Sequence, residues 1–455
     1  MKMASRPEIE LDRSSGLHAA ARFAFKAAAM LLAGVVMGAL LLSLAYLLPL
    51  GPIRESAERS LPTLKEEGVH PQKLASSLNS VLDNFTDATM LDLASYDGEG
   101  GIAGALRSQR AYRSGAASDP IEALEASLEG TSSSSSDYTR YWHGYLVLLK
   151  PLMCIGLDYD GIRVLNAVGQ TLLLLSLVAV LVIKRKAQLL PPLLVVLLCI
   201  EVFVVPFSLQ YSSAFYLGFG STLVVAWQPA FLRKRHHAIL FFLAIGMLTS
   251  YIDFLTYPVF TLGIPAATYL YLNASRDDAK RSLAIVLSLV LAWFAGYGAM
   301  WAGKWLLASI VLHENIFADA LASMSFRTSL QDGQSNAIGW GRLAKSLLIH
   351  YRESEILLPV IAALVGYGVL LAGKIVRYKK ASVAVRELLA ALCPYAIIFA
   401  VPMAWFVAVP NHTLIHNWMT YRGLSVCVYV LLVGFLHASG KGEERGHTIA
   451  SITPL

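Results

Sequence analysis

Long apolar runs constrain the fold of this chain more than any other feature of its sequence. A helix crosses a hydrocarbon core about 30 Å thick with roughly 20 predominantly apolar residues, and the chain contains many runs of that kind. Only 15% of its residues are charged, against about 25% in a soluble domain. The sequence therefore predicts an all-α polytopic membrane protein.

Ten apolar segments are predicted to span the membrane. Their approximate bounds are 25–50, 162–183, 189–208, 213–232, 238–252, 254–272, 283–307, 356–375, 388–409 and 423–437. Residues 1–25 are predicted to form a polar cytoplasmic leader, residues 26–438 the transmembrane domain, and residues 439–455 a cytoplasmic tail. Within the transmembrane domain, the polar segments 51–160 and 308–355 are predicted to be long loops with interfacial helices.

Short basic clusters predict the orientation of these spans. Residues 184–186, 233–237, 276–281 and 374–386 carry Lys and Arg between apolar runs. If the N-terminus is cytoplasmic, each of these clusters and the tail lie on the cytoplasmic side, as the positive-inside rule requires. Both long loops then face the extracytoplasmic side of the cell membrane. The net charge of +6 is dispersed over several clusters, so nucleic acid is not a predicted partner.

The first long loop is predicted to contain helices at the membrane interface. Apolar residues between 74 and 82 recur at helical spacing, which predicts an amphipathic helix ending near Asp83. The serine-rich run 131–137 is predicted to be a flexible connector. The apolar stretch 141–157 is too short to span, so it is predicted to form a helix in the interface.

Three carboxylates, Asp83, Asp87 and Asp92, fall within ten residues of the first loop. On a helix Asp83 and Asp87 share a face and repel each other unless a proton, a metal or another cation intervenes. That arrangement favours a general base or a cation-assisted site, with Mg²⁺ or Mn²⁺ as the candidate ion, so these two are the predicted catalytic residues. The alternative is that they cap and solvate short helices.

Polar residues of the outer segments form a second candidate set, in which Arg or Lys recurs with His. The predicted substrate-binding residues are Arg140, His143, Lys150, Asp253, His350, Arg352, His412, His416 and Arg422. Arg holds a phosphate by a bidentate fork, and His is a titratable donor. The alternative for any one of the cations is contact with lipid headgroups.

Two carboxylates fall in or beside predicted spans. Glu201 lies well inside the third span, where an ionised carboxylate costs at least ~2.5 kcal/mol, and Asp253 lies at the outer end of the fifth. Both are candidates to line a cavity that opens outward. Alternatively, Glu201 is a neutral, hydrogen-bonded packing residue.

The predicted layout resembles that of the GT-C glycosyltransferases over residues 25–355. It has a cytoplasmic N-terminus, one span, a long acidic outer loop, six closely spaced spans and a second long outer loop. The resemblance implies sugar transfer from a polyprenyl-phosphate or polyprenyl-diphosphate donor, with an Asp or Glu of the first outer loop as base or metal ligand. That role then falls on Asp83 or Asp87, with Glu55 and Glu58 as alternatives nearer to the first span.

The sequence thus predicts a membrane glycosyltransferase that moves a sugar from a polyprenyl-phosphate-type donor to a glycan or lipid acceptor. The reaction would take place at the extracytoplasmic face, in cell-envelope or surface-polysaccharide assembly. Two alternatives stay open. An O-antigen-type polymerase or ligase would depend on the outer His and Arg residues more than on the Asp cluster. A polysaccharide or lipid flippase, or another transporter, would use Glu201 and Asp253 along a pathway.

Overall fold

The computed structural model of the chain describes most of its length. The described residues are 13–74, 77–111, 119–132, 134–253, 255–274, 278–332, 336–376 and 381–439. The beginning of the predicted leader and nearly all of the predicted cytoplasmic tail lie outside these ranges.

The described residues fold into helices and one small sheet. The first seven helices are α1 Arg13–Ala45, α2 Leu50–Glu67, α3 Asn84–Ser95, α4 Gly101–Arg107, α5 Pro120–Leu128, α6 Leu146–Cys154 and α7 Tyr159–Ile183. The next six are α8 Leu190–Cys199, α9 Leu209–Trp227, α10 Arg235–Ile252, α11 Val259–Asn273, α12 Ala279–Leu312 and α13 Ile316–Thr328. The last six are α14 Trp340–Glu353, α15 Leu357–Val376, α16 Ala381–Ala408, α17 Pro410–Ile415, α18 Asn417–Thr420 and α19 Leu424–Ser439. The sheet pairs β1 Gln109–Ala111 with β2 Ser135–Asp137.

Among the described residues, six helical segments are long and apolar enough to cross a membrane. They are α1, α7, α10, α12, α16 and the stretch Asn417–Ser439, which contains α18 and α19. A seventh is obtained if α14 and α15, which meet at 92°, count as one broken span. The prediction of a polytopic helical membrane protein is therefore supported, but its count of ten spans and its orientation are not confirmed.

Two predicted spans differ from the helices that occupy them. The third is interrupted, because α8 ends at Cys199 and the chain turns at Glu201, whose φ is +54°. The prediction that Glu201 lies well inside a membrane helix is therefore wrong, and its half-buried carboxylate accepts a hydrogen bond from Ser77 Oγ at 3.1 Å. The sixth contains α11, which is buried from Val259 to Leu270, so its surroundings are protein.

Small residues bring the central helices into close contact. A Cβ built on Gly246 of α10 would lie 2.0 Å from the Trp293 carbonyl oxygen, and one on Gly296 of α12 would lie 2.2 Å from that of Leu243. Neither position tolerates a side chain without a backbone shift. Close approach at glycine is a common basis of helix association in membranes, where van der Waals packing replaces the hydrophobic drive.

The segment between α1 and α7 forms a compact helical layer on the end of the bundle. The predicted amphipathic helix ending near Asp83 is wrong. Of the described residues 74 and 77–82, Leu78–Ser80 alone are helical, in a single 3-10 turn, and α3 begins after Asp83. Ser80 Oγ donates to the carbonyl oxygens of Leu74 and Ser77, and such local bonds compete with a regular helix. The prediction of a flexible serine connector is wrong for Ser135–Asp137, which forms β2.

Both long polar segments lie at the same end of the bundle. Lys304, near the end of α12, donates to the Leu106 carbonyl oxygen of the first segment at 2.8 Å, and α13 of the second segment follows α12 directly. Asn79 of the first segment donates its backbone N–H to Ser354 Oγ of the second at 3.0 Å. Side chains that are hundreds of residues apart therefore meet at this end.

Candidate functional site

Asp87 is buried where α3 meets the beginning of α9. Its carboxylate accepts hydrogen bonds from the backbone N–H groups of Leu209 at 2.8 Å and Gln210 at 2.9 Å. Tyr159 OH donates at 2.6 Å and Ser208 Oγ at 3.4 Å. A carboxylate at this position satisfies N–H groups of the first turn of α9 and complements the positive end of the helix dipole. Asp87 therefore anchors α9 to the outer layer.

The Tyr159 hydroxyl links Asp87 to a larger buried network. Arg163 donates to Tyr159 OH at 2.9 Å and forms a bidentate pair with Glu67, at 3.0 and 2.8 Å. Asn84 donates to Glu67 at 2.9 Å and to the Gly68 carbonyl oxygen at the same distance. Partial burial opposes ionisation of Glu67, but the bonds from Arg163, Lys73 and Asn84 outweigh it and lower the Glu67 pKa to about 2. This network joins α2, α3, α7 and α9.

Asp83, four residues earlier, has fewer partners. It is the N-cap of α3 and accepts hydrogen bonds from Thr86 N at 3.2 Å and Thr86 Oγ1 at 2.8 Å. His70 Nδ1 lies 4.0 Å from its Oδ1. Burial raises the pKa of Asp83 to about 6, although Thr86 and the positive charge of Arg422 partly oppose this shift. Since a local cap leaves acceptor capacity unused, the Asp83 carboxylate can still receive a proton from another group.

Arg422 is a fully buried cation at this end of the bundle. Its guanidinium donates to three backbone carbonyl oxygens, those of Ile200 at 3.0 Å, Trp418 at 2.8 Å and Asn79 at 3.2 Å. It also lies 4.0 Å from the centre of the Tyr211 ring. Within the described part of the chain, no carboxylate lies within 4.0 Å of this guanidinium. A buried, unpaired cation is costly, and an anion would offset that cost.

The groups around Arg422 are hydrogen-bond donors with unused capacity. We call Asn79, His350, Trp418, Tyr421 and Arg422 the donor cluster. His350 Nδ1 lies 2.9 Å from Asn79 Oδ1, and its ring stacks on Tyr421 at 4.4 Å. Asn79 Nδ2, Trp418 Nε1 and Tyr421 OH are buried and have no hydrogen-bond partner among the described residues. Buried polar atoms are nearly always bonded, so three such atoms around one cation indicate a ligand site.

The charge of the donor cluster and its apolar surroundings suit an oxyanion carried on a lipid. Asp83 and Glu201 approach Arg422 closely enough to interact with it electrostatically. Apolar side chains stand exposed beside the cluster: Leu74 and Phe85 are 47% and 40% exposed, and Phe203, two residues from Glu201, is 77% exposed. A phosphate would take the unused donors, and an acyl or isoprenoid chain would cover the apolar side chains.

His412 and His416 lie at one edge of the donor cluster. His412 Nε2 lies 2.9 Å from the Leu255 carbonyl oxygen, and its Nδ1 lies 2.5 Å from an Arg327 nitrogen. Burial holds the His412 pKa well below its usual value, in keeping with a neutral ring that accepts from Arg327. Burial also lowers the His416 pKa, to about 4. Because both His412 nitrogens are engaged, this ring is not available to a metal.

Four other predicted binding residues have local partners. His143, with φ of +53°, contacts the Tyr138 carbonyl oxygen at 2.8 Å. Lys150 donates to the Ala94 carbonyl oxygen near the end of α3 at 2.7 Å. Asp253 accepts from Ser213 and from Thr256 before α11. Arg352 is 75% exposed in a pair with Glu353. The structure does not bring these four residues to the donor cluster. Arg140 lines a separate cleft, described below.

The remaining carboxylates of the first segment do not converge with Asp83. Glu55 and Glu58 are exposed on α2. Asp92 accepts from the Ala111 backbone N–H at 2.8 Å and thereby supports β1. Among the described residues no group of three or more His, Cys, Asp or Glu side chains could hold a metal ion. A divalent cation, if bound, would need ligands from its substrate as well as from Asp83.

The sequence predicted two catalytic and nine substrate-binding residues on the outer side. Of these eleven, the structure brings five together in and around the donor cluster: Asp83, His350, His412, His416 and Arg422. Sequence reasoning missed Asn79 altogether, because an Asn in a polar loop carries no signal. Trp418 and Tyr421 lie in the turn that was singled out for its His and Arg residues, and they could have been found as aromatic residues with polar atoms beside a cation. Tyr159 was read as part of the first long loop, and Arg163 as part of the second span.

Comparison with known proteins adds no relatives: no family model, no curated protein and no solved structure matches this chain. Its assignment therefore depends on the site itself.

Proposed function

We propose that the chain is a membrane glycosyltransferase that uses a polyprenyl-phosphate-type sugar donor, as the resemblance to the GT-C superfamily implies. One observation carries the proposal: a buried, unpaired Arg422 with unused donors on Asn79, Trp418 and Tyr421 lies beside the underused carboxylate of Asp83. An oxyanion-binding group next to a base is what sugar transfer from a phosphate leaving group needs.

Asp83 is the base in this proposal. It takes the proton of the acceptor hydroxyl as that oxygen bonds to the anomeric carbon of the donor sugar. The bond from that carbon to the phosphate oxygen breaks, and the phosphate keeps the electron pair. Arg422 and its neighbours stabilise the negative charge that develops there. With a pKa of about 6, Asp83 is mostly deprotonated at neutral pH but remains basic enough to accept a proton.

The membrane arrangement belongs to the same proposal. The sequence predicts the site on the extracytoplasmic face, with both termini cytoplasmic, because basic clusters lie between the apolar runs. Adding α9, α11 and α15 to the six apolar segments, together with α8 and the irregular segment that continues it to Phe207, would give the ten predicted spans. α14, which meets α15 at 92°, would then lie across the donor cluster in the interface, with His350 facing inward.

Replacing Asp83 by Asn tests the base. Asn is as good an N-cap as Asp, so the fold should persist while turnover falls by about 10²–10⁴-fold, the usual contribution of a positioned base. The assay is product formation from extracted polyprenyl-linked sugar. In the wild type, kcat/KM should fall about tenfold for each pH unit below the Asp83 pKa, since only the carboxylate accepts a proton.

Asp119→Asn is the matched control, because Asp119 caps α5 in the same way, accepting from Ile121 N at 2.8 Å. Asn84→Ala is unsuitable, since Asn84 holds Glu67 in the buried network. If Asp83→Asn, folded and inserted, turns over at the wild-type rate, Asp83 is only a helix cap and the mechanism fails. In that case, loss of activity on replacing His350 or His416 would favour an O-antigen-type polymerase or ligase.

A further inference from the structure

A cleft that shares no residue with the donor cluster lies between α12, α13 and the chain that precedes α6. Its walls are formed by three residues of α13, Ala320, Ser323 and Met324, and by Arg140, Tyr141, Trp301, Trp305 and Arg327. We call it the arginine–tryptophan cleft. It encloses about 20 Å³, enough for one water molecule or one oxyanion group at its base. A larger ligand would place only that group inside.

Arg140 is held in the cleft with part of its bonding capacity unused. Its guanidinium lies 4.8 Å from the centre of the Tyr138 ring and 5.4 Å from that of Tyr141. Its carboxylate partner is Asp319, at 3.3 Å, whose side chain is 54% exposed. The buried Arg140 Nε has no hydrogen-bond partner among the described residues. An exposed ion pair is weak, so an incoming anion can compete for this guanidinium.

Arg327 brings a second positive charge to the same cleft. One of its nitrogens lies 2.5 Å from His412 Nδ1. Over the described ranges no carboxylate comes within 4.0 Å of it. Arg110 adds a further cation nearby, with its guanidinium 4.9 Å from the centre of the Tyr138 ring. In the described part of the chain, Asp319 lies within 4.0 Å of Arg140, and Asp92 interacts with Arg110 at longer range. The three cations outnumber these two carboxylates.

Aromatic rings form the rest of the wall. The centre of the Trp301 ring lies 6.1 Å from that of Tyr141 and 5.8 Å from that of Trp305. Trp305 Nε1 donates to the Arg140 carbonyl oxygen at 2.9 Å, which fixes its ring beside the guanidinium. Rigid aromatic surfaces beside a cation suit a ligand that is apolar on one face and negatively charged at one end.

We propose that the arginine–tryptophan cleft binds an acidic carbohydrate. The oxyanion of the sugar, a carboxylate or a phosphate ester, lies between Arg140 and Arg327, and the C–H face of its ring packs against Trp305. The Arg327–His412 contact places this cleft next to the donor cluster, so the bound sugar is the acceptor. That role depends on the glycosyltransferase proposal, whereas the binding itself does not.

Ligand-observed NMR on the full-length protein in neutral-lipid nanodiscs measures binding without turnover. Proton saturation transfer reports the sugars, and phosphorus-31 line broadening reports inorganic phosphate, which has no C–H protons. The probes are glucuronate, glucose 1-phosphate, glucose and inorganic phosphate. We expect signals from the two acidic sugars and from neither glucose nor phosphate alone, because both the charge and the ring are needed. Arg140→Gln and Arg327→Gln should each weaken binding by about tenfold, the loss of one charge-assisted contact.

Arg342→Gln is the matched control, because Arg342 is 53% exposed and paired with Asp332 at 2.9 Å, away from the cleft. Arg140→Lys tests whether a loss of binding comes from misfolding. It keeps the positive charge but loses the planar guanidinium fork, so it should bind with intermediate affinity. Equal signals from glucose and glucuronate, binding of inorganic phosphate alone, no binding of either acidic sugar, or full binding in Arg140→Gln would each overturn the proposal. Since no step is catalysed, an inactive Asp83→Asn protein should still bind.

Discussion

Asp87 and Arg422 are both fully buried charges at the same end of the bundle, yet their surroundings differ. Asp87 accepts from four donors, and those donors belong to a network that continues through Tyr159. Arg422 donates to three carbonyl oxygens and has no carboxylate within 4.0 Å in the described structure. Three neighbouring polar atoms, Asn79 Nδ2, Trp418 Nε1 and Tyr421 OH, have no hydrogen-bond partner there. Burial alone therefore does not distinguish an anchor from a binding site.

The difference lies in how completely each neighbourhood is satisfied. A buried charge whose partners are all in place holds elements together. Replacing it leaves its buried partners without a hydrogen bond, which lowers the free energy of unfolding. A buried charge among unused donors can gain further stabilisation from a bound ligand. We therefore propose that Asp87 is a structural residue and that the donor cluster with Asp83 is the candidate site.

The largest expected effect on folding is that of Asp87→Asn. The amide NH₂ group cannot accept from the α9 backbone, so at least one buried N–H group loses its partner, which costs roughly 3 kcal/mol. The free energy of unfolding, or the melting temperature of the purified protein, should fall accordingly. Asp97→Asn, at an exposed loop position, should leave both unchanged. An Asp87→Asn protein as stable as the wild type would remove the contrast between the two regions.

A smaller effect is expected of Trp418→Phe in the donor cluster. The change removes an N–H group that has no partner in the described structure, so unfolding should be affected only by the modest loss of ring contacts, about 1 kcal/mol. The KM for the lipid donor should rise about tenfold, the value of one bond to a charged ligand. Trp340→Phe, 52% exposed on α14, is the control. A strongly destabilised Trp418→Phe with normal KM would make the indole a packing residue.

The sequence allowed the helical class and the approximate positions of the apolar helices to be predicted, because lipid imposes length and composition. It also placed the His and Arg residues of the last turn at one end with Asp83. The sequence did not allow the turn before Asp83 to be predicted, because that turn depends on local hydrogen bonds. Ser80 and Ser77 turn the chain before Asp83 instead of letting it form a helix, and a hydrophobic pattern does not report side-chain bonds to the backbone.

The roles of Asp83 and Asp87 could not be separated from the sequence. Four residues apart, they looked like one pair on one helix face. Asp87 accepts hydrogen bonds from the backbone N–H groups of Leu209 and Gln210, more than a hundred residues later in the chain. No local signal predicts that contact. Among the described residues, the hydrogen bonds to the Asp83 carboxylate come from Thr86 alone, three residues away. Which carboxylate remains available is therefore a property of the tertiary structure.

Native mass spectrometry of the purified protein tests the central claim most directly, namely that the donor cluster binds a phosphate-bearing lipid. We expect a polyprenyl phosphate or its sugar-linked form to copurify with the wild-type protein. Its occupancy should be lower in Trp418→Phe and unchanged in Trp340→Phe. Bulk phospholipid alone on the wild-type protein, or equal polyprenyl-lipid occupancy in all three proteins, would contradict the account.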